Sequence, residues 1–299
     1  MRGVLLSCAA FSVLALGCIC VFLFAGGIPF IIRVGADNFF GTTWRLSEKA
    51  YGVTPMIAAS LYVTALSAAI GVTIGLLTAA ALYRFCPKRA VAPIRQMINL
   101  LAGIPSVLYG LFGLIVIVPF LREHIAPNGV GYGILAASLV LSVMILPTVV
   151  SVSHDALCAV PKGYEEGALA LGATAEQSVF RVILPAAKSG ILAATVLAIG
   201  RAVGETMAVI MVIGGSPVMP KGLFQSVRTL TANIAMGALE LSGDDKTALV
   251  ASGMALFFFI LLLNLCFSLL KEGGGNRANK RKRSDENAEH FIQKGGQRV

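Results

Sequence analysis

Six apolar runs, at about 4–32, 55–83, 97–121, 132–153, 189–213 and 248–270, constrain this chain more than any other feature. Each is long enough to cross about 30 Å of hydrocarbon, which takes roughly 20 helical residues. In that medium every backbone N–H and C=O must bond within the protein, which leaves helices for runs of this length. The expected fold is therefore all-α, a polytopic membrane protein with six transmembrane helices. The balance of residue types agrees: of 299 residues, 57% are hydrophobic and 13% charged, with mean hydropathy +0.82. A soluble domain carries about twice that share of charge.

The first run opens after Arg2 like a signal peptide, and Leu14 to Cys18 (LALGC) has the look of a lipoprotein cleavage site. It continues well past Cys18, beyond the 7 to 15 apolar residues of a signal sequence, and reads as a retained helix. Sixteen of the 24 Lys and Arg residues fall on the side that holds both termini, and seven on the other. Positive loops stay inside, so both termini are expected in the cytoplasm. The organisation that follows is a first helix at 1–33, an external loop at 34–54 and a five-helix core at 55–270. Within that core lie a cytoplasmic loop at 160–188 and a second external loop at 214–247. Residues 271–299 are Gly-rich and charged, the composition of a disordered basic tail.

The net charge of +9 is spread over helix ends and this tail, without interleaved aromatic residues, and no nucleic acid is expected as a partner. The run Lys280 to Arg283 fits either a positive tail following a last helix or a patch for acidic lipid in the bilayer. No cysteine lies in an external loop, and the cysteines and histidines lack metal-ligand spacing, so neither disulfides nor a metal are expected. Ser153-His154-Asp155 are adjacent residues that cannot converge as a triad, and they read as a helix end entering water. No catalytic residue is expected. Phe39, Phe40 and Trp44 suit anchoring at the membrane interface or contact with a protein arriving from outside.

One charged pair breaks the pattern. Arg201 and Glu205 lie inside the fifth run, in GRAVGETMAV, where an arginine costs roughly 2.5–3.5 kcal/mol. Four residues apart, they share a helix face and can pair with each other. Gly200 and Gly204 would let a neighbouring helix approach beside them. The pair then either locks helices together or faces a polar path, where Arg201 offers an anion a planar fork of donors held by Glu205. Ser106, Tyr109, Thr195 and Thr206 either line such a path or bond back to helix carbonyls. Gly71 and Gly75 make a GxxxG packing pattern in the second run.

The loop at 160–188 reads as two short helices. Pro161, Glu165 and Glu166 suit a first turn, and Gly172 a left-handed stop. Thr174 with Gln177 forms a capping box, and Pro185 closes the second helix. Its apolar residues need cover from neighbouring helix ends or from another protein.

The spelling Glu166-Gly167-Ala168, Gly172 and Val182-Ile183-Leu184-Pro185 resembles the EAA signature of ABC importer permeases. Ile104 to Arg122, GRAVGETMAV and Arg228 to Ala235 (RTLTANIA) resemble more specifically the C-type permease subunits of bacterial high-affinity phosphate importers. The resemblance implies a type I ABC importer permease architecture in the bacterial inner membrane, with periplasmic loops at 34–54 and 214–247. It implies that Glu165, Glu166, Gly167, Ala168, Gly172, Leu184 and Pro185 couple to an ATPase. It implies that Arg201, Glu205, Thr206, Ser106 and Tyr109 lie along the substrate path. The partners it implies are a homologous A-type permease forming a heterodimer, two ATPase subunits, a periplasmic phosphate-binding protein and inorganic phosphate. ATP and Mg would sit on the ATPase and no cofactor on this chain, which lacks the Gly-x-x-x-x-Gly-Lys-Ser/Thr phosphate cradle. Import would run by alternating access. Another oxyanion such as molybdate or sulfate, a secondary anion transporter and a membrane scaffold are the competing readings.

Overall fold

The computed structural model describes residues 2–126, 130–240, 243 and 245–266; the expected tail at 271–299 lies outside them. Five described helices are long and apolar enough to cross a membrane singly: α1 (Arg2–Val34), α2 (Thr54–Phe85), α4 (Ser106–His124), α5 (Ile134–Cys158) and α11 (Asp245–Cys266). Between α2 and α4 lies α3 (Lys88–Ala102). After α5 come α6 (Lys162–Ala170) and α7 (Ala175–Ala186), which form the expected hairpin. The chain then bends by 72° into α8 (Lys188–Gly204), followed by α9 (Met207–Ile213) and α10 (Leu230–Glu240). Single π-turns interrupt α2 at Ala81–Phe85, α4 at Gly113–Ile117 and α7 at Val179–Ile183.

The core is built around α5, the most buried span, which packs on α2, α8, α9 and α3. Its seam with α2 explains the GxxxG pattern. A Cβ on Gly71 would stand 2.7 Å from the Ile145 side chain, and one on Gly75 would stand 2.7 Å from Val149. With no side chain there, the backbones close up, and α5 hydroxyls reach α2 carbonyls: Ser138 Oγ to Val63 O at 3.3 Å and Ser142 Oγ to Ser67 O at 3.2 Å. Without a hydrophobic drive between helices in lipid, such close packing and interhelical hydrogen bonding set the association. By contrast α1 stands apart for most of its length and meets α11 in its C-terminal part, where Phe24 packs edge-on against Phe257 and Phe258.

The segment between α1 and α2 folds over one end of the bundle. It contains a short helix (Ala36–Phe39) and a two-stranded antiparallel ribbon, β1 (Trp44–Arg45) with β2 (Ala50–Tyr51). Phe39 and Trp44, expected as interface anchors, are instead buried with Phe30, Tyr51, Met56, Leu230 and Leu249. Phe40 alone of the three is exposed. The reason is that Tyr51 and Phe30 offer these rings a protein surface: Trp44 and Phe30 both pack edge-on against Tyr51.

Four other expectations change. The third span starts at Ser106, not 97, because Gly103 and Pro105 break the chain. The residues before them belong to the amphipathic α3, whose Arg95 pairs with Asp155 at 2.7 Å. Ser153 and His154 are buried within α5, and only Asp155 of that triplet reaches the surface. The external loop at 214–247 is partly helical, with Leu230, Ala232 and Asn233 of α10 buried. The fifth run is not one helix, since α8 stops at Gly204 and α9 starts at Met207.

Candidate functional site

That last break decides the geometry of Arg201 and Glu205. Arg201 stands in the last turn of α8, half-buried, at the helix end where carbonyl groups favour a positive charge. Glu205 follows with extended backbone (φ −72°, ψ 130°), so the i,i+4 face that would bring it to Arg201 does not exist. Its carboxylate turns forward instead, and Oε1 accepts the Ala208 N–H at 3.1 Å. Ala208 is fully buried and in the first turn of α9, so this bond satisfies a donor that a helix start leaves open. The Glu205 carbonyl accepts Thr231 Oγ1 at 3.1 Å, which ties the break to α10. Ser60, Thr64, Thr229 and Thr231 join Glu205 around a cavity with room for about one water.

The expected Arg201–Glu205 ion pair is therefore replaced by a cap, and no hydrogen bond or ion pair holds the Arg201 guanidinium among the described residues. Tyr109 is buried and donates to Leu101 O at 2.6 Å, spanning the break between α3 and α4. Ser106 lies one turn earlier on the same helix, half-buried. Thr206 Oγ1 sits 3.4 Å from Gly204 O, and Thr195 Oγ1 bonds back to Ile191 O at 2.9 Å. The structure thus places Arg201, Glu205 and Thr206 at the break between α8 and α9, and Ser106 and Tyr109 in the first turn of α4. Gly200 and Gly204, expected to admit a neighbouring helix, have no atom of the described residues within 4 Å of the Cβ they lack, and Gly200 borders a narrow cleft toward Ile260 and Leu263 of α11. Leu197 and Gly204 on this side of α8 are exposed.

The second region is the hairpin of α6 and α7. Gly172 adopts φ +86° and ends α6 in a Schellman motif, with Gly172 N–H on Leu169 O and Ala173 N–H on Ala168 O. Thr174 and Gln177 form the reciprocal capping box at the start of α7. Glu176, in that first turn, has its carboxyl held below the usual value by its own backbone N–H and by Thr174. Glu166, Gly167, Gly172 and Pro185 are exposed, Leu184 is half-buried and Ala168 is buried. Tyr164, Leu171 (91% exposed) and Phe180 add an apolar surface without cover. Glu165 faces the other way: Arg84 Nε lies 2.9 Å from its Oε1, and Tyr83 Oη donates to Oε2 at 3.1 Å. Arg84 and Tyr83 are site residues that sequence reasoning missed, because no local spacing links positions so far apart.

A family model described as the binding-protein-dependent transport system inner membrane component matches residues 71–273. The probable ABC transporter permease protein YqgH of Bacillus subtilis is 38% identical over 281 residues, covering 90% of this chain and 91% of that protein. The phosphate transport system permease proteins PstC of Mesorhizobium japonicum and Haemophilus influenzae are each 34% identical, covering 85% of this chain and 84% and 87% of theirs. Among solved structures, the inward-facing methionine ABC transporter MetNI aligns with TM-score 0.60 at 21% identity, covering 77% of this chain and 99% of that one. A bacterial ABC transporter that imports alginate aligns with TM-score 0.55 at 15% identity, covering 89% of this chain and 97% of the other. At such identities these alignments speak for fold alone.

Proposed function

The chain belongs to the family of binding-protein-dependent transport system inner membrane components, and on that premise we propose that it is the C-type permease subunit of an ATP-driven phosphate importer. A non-catalytic membrane subunit of this kind works with an ATPase and a binding protein. In the proposed assembly this chain pairs with an A-type permease, two ATPase subunits holding ATP and Mg, and a periplasmic phosphate-binding protein. Both termini face the cytoplasm, as the distribution of Lys and Arg favours.

The observation that carries the substrate reading is Arg201, a charge near the middle of the protein's fifth crossing whose guanidinium no side chain of the described residues neutralises. Phosphate permeases among the relatives agree with an oxyanion as cargo. The planar fork of arginine matches two oxygens of such an anion. Glu205, engaged with the Ala208 N–H, keeps its carboxylate off that fork and fixes the break that ends α8 beside it. Ser106, Tyr109 and Thr206 complete the proposed path. The exposed side of α8 at Leu197 and Gly204 is where the second permease would close that path. Alternating access then follows from the hairpin: Glu166, Leu171 and the exposed apolar residues around them seat on the ATPase, whose closure moves α6 and α7 and the spans joined to them.

The test is uptake of labelled phosphate by cells that lack only this subunit, complemented with the wild type, Arg201→Ala or Arg201→Lys at matched membrane levels. The wild type restores uptake; the alanine variant assembles and does not transport. If the assembled wild type restores nothing, the substrate is another oxyanion. If Arg201→Ala transports normally, the arginine is not part of the path.

A further inference from the structure

We propose that Glu165 is a positioning residue that clamps the α6–α7 hairpin to the cytoplasmic end of α2, so that force applied to the hairpin is delivered to the transmembrane core. The inference rests on the permease reading above and deepens it. Two glutamates stand side by side in α6 and do different things. Glu166 is exposed, whereas the Glu165 side chain is 19% exposed and has both carboxylate oxygens engaged by α2, one by Arg84 and one by Tyr83. Both partners lie in the π-turn that ends α2.

Beneath the clamp, Ala79 of α2, Leu157 of α5, and Ile183 and Ala187 at the end of α7 form a small buried core, with Tyr83 and Leu184 packed on it. Apolar packing alone lets helices slide; a two-pronged, directional hold on a carboxylate fixes their register. On the far side of the hairpin the chain turns by 72° into α8, and Gly190 is in direct contact with Ala156. The hairpin is thus held to α2 and α5 and joined to α8 through a sharp elbow. A partly exposed ion pair adds little to stability, which separates this role from a merely structural one.

The experiment uses the assembled transporter with its ATPases and binding protein in liposomes, recording phosphate moved per ATP hydrolysed for the wild type, Glu165→Gln and the swapped pair Glu165→Arg/Arg84→Glu. The expected result for Glu165→Gln is normal assembly and melting, with phosphate moved per ATP lowered about fivefold or more. The swapped pair recovers most of that loss. An unchanged ratio in Glu165→Gln, or no recovery in the swapped pair, overturns the proposal.

A second readout does not depend on the substrate. Spin labels placed at Leu77 of α2 and Gly163 of α6, in a chain whose six cysteines are replaced, report the separation of the two helices with and without ATP. In the wild type the distance stays constant through the cycle, and in Glu165→Gln its distribution broadens. A wild-type distance that changes with ATP overturns the clamp. If the wild type moves no phosphate, the substrate reading falls while the label distance still decides the clamp.

Discussion

Replacing Glu205 separates a helix cap from an ion pair. In the structure Glu205 Oε1 accepts a hydrogen bond from the buried Ala208 N–H at 3.1 Å, and Arg201 makes no bond to it. Glu205→Ala leaves that donor without a partner, which costs about 1–3 kcal/mol. It also removes a negative charge from the start of α9, adding about 0.3–1 kcal/mol. The expected loss is about 2 kcal/mol, which at about 2–4 °C per kcal/mol for a chain of this size lowers the melting temperature by about 4–8 °C. Glu205→Gln keeps an oxygen in the same place and loses the charge alone, so its drop is about 1–3 °C by the same conversion. The measurement is thermal unfolding of the purified protein in detergent, with labelled-anion uptake in parallel. Glutamine supports uptake close to the wild type and alanine does not. A glutamine variant as damaged as alanine would refute the cap, because an ion pair needs the charge and a cap needs the acceptor. Effects of Glu205→Gln and Arg201→Gln should also add, whereas paired residues would show coupling.

Two further perturbations test the packing that holds the site. Gly71→Ala drives a Cβ to 2.7 Å from Ile145 and 3.1 Å from Ser142 O, so strain of about 1–3 kcal/mol outweighs a helix-propensity gain of up to about 1 kcal/mol. In an Ile145→Ala background most of that penalty should vanish in the same unfolding assay; a penalty that persists would mean the seam is not the cause. Phe39→Ala empties the outer cap and should cost about 3–5 kcal/mol, whereas Phe40→Ala, at an exposed ring stacked edge-on against Phe39, should cost no more than about 1.5 kcal/mol. Equal losses at the two positions would contradict the buried cap.

What could be read without coordinates was whatever depends on neighbours in the chain. Bilayer thickness fixes span length, and the left-handed stop at Gly172 and the box at Thr174 and Gln177 are chemistry between residues a few positions apart. The start of the third span was misplaced because a count of apolar residues merges α3, apolar on one side, with the span beyond Pro105. The Arg201–Glu205 pair was wrong for a related reason. Helical spacing assumes an unbroken helix, and nothing between Gly200 and Val209 announces that the chain extends at Glu205. Phe39 and Trp44 were misjudged because their cover comes from Phe30, Tyr51 and Leu249, residues of other elements. The inward turn of Glu165 had no sequence signal at all, since its neighbours in space are in α2.

The π-turn at Ala81–Phe85 makes the clamp a matter of chain length as well as of side-chain chemistry. A π-turn holds one residue more than the α-turn it replaces. Loss of a single codon there would leave a regular helix, intact by any measure of secondary structure or insertion. The chain past the turn would keep its phase, because the π-turn takes up the extra residue, and only the residues inside it, Tyr83 and Arg84 among them, would shift against Glu165. Substitutions of Tyr83 or Arg84 change how firmly two parts hold, whereas a frame-preserving deletion moves the holding groups and leaves the chain that follows in place. For genetic variation the end of α2 is therefore sensitive at Tyr83 and Arg84 and in the spacing that sets them against Glu165.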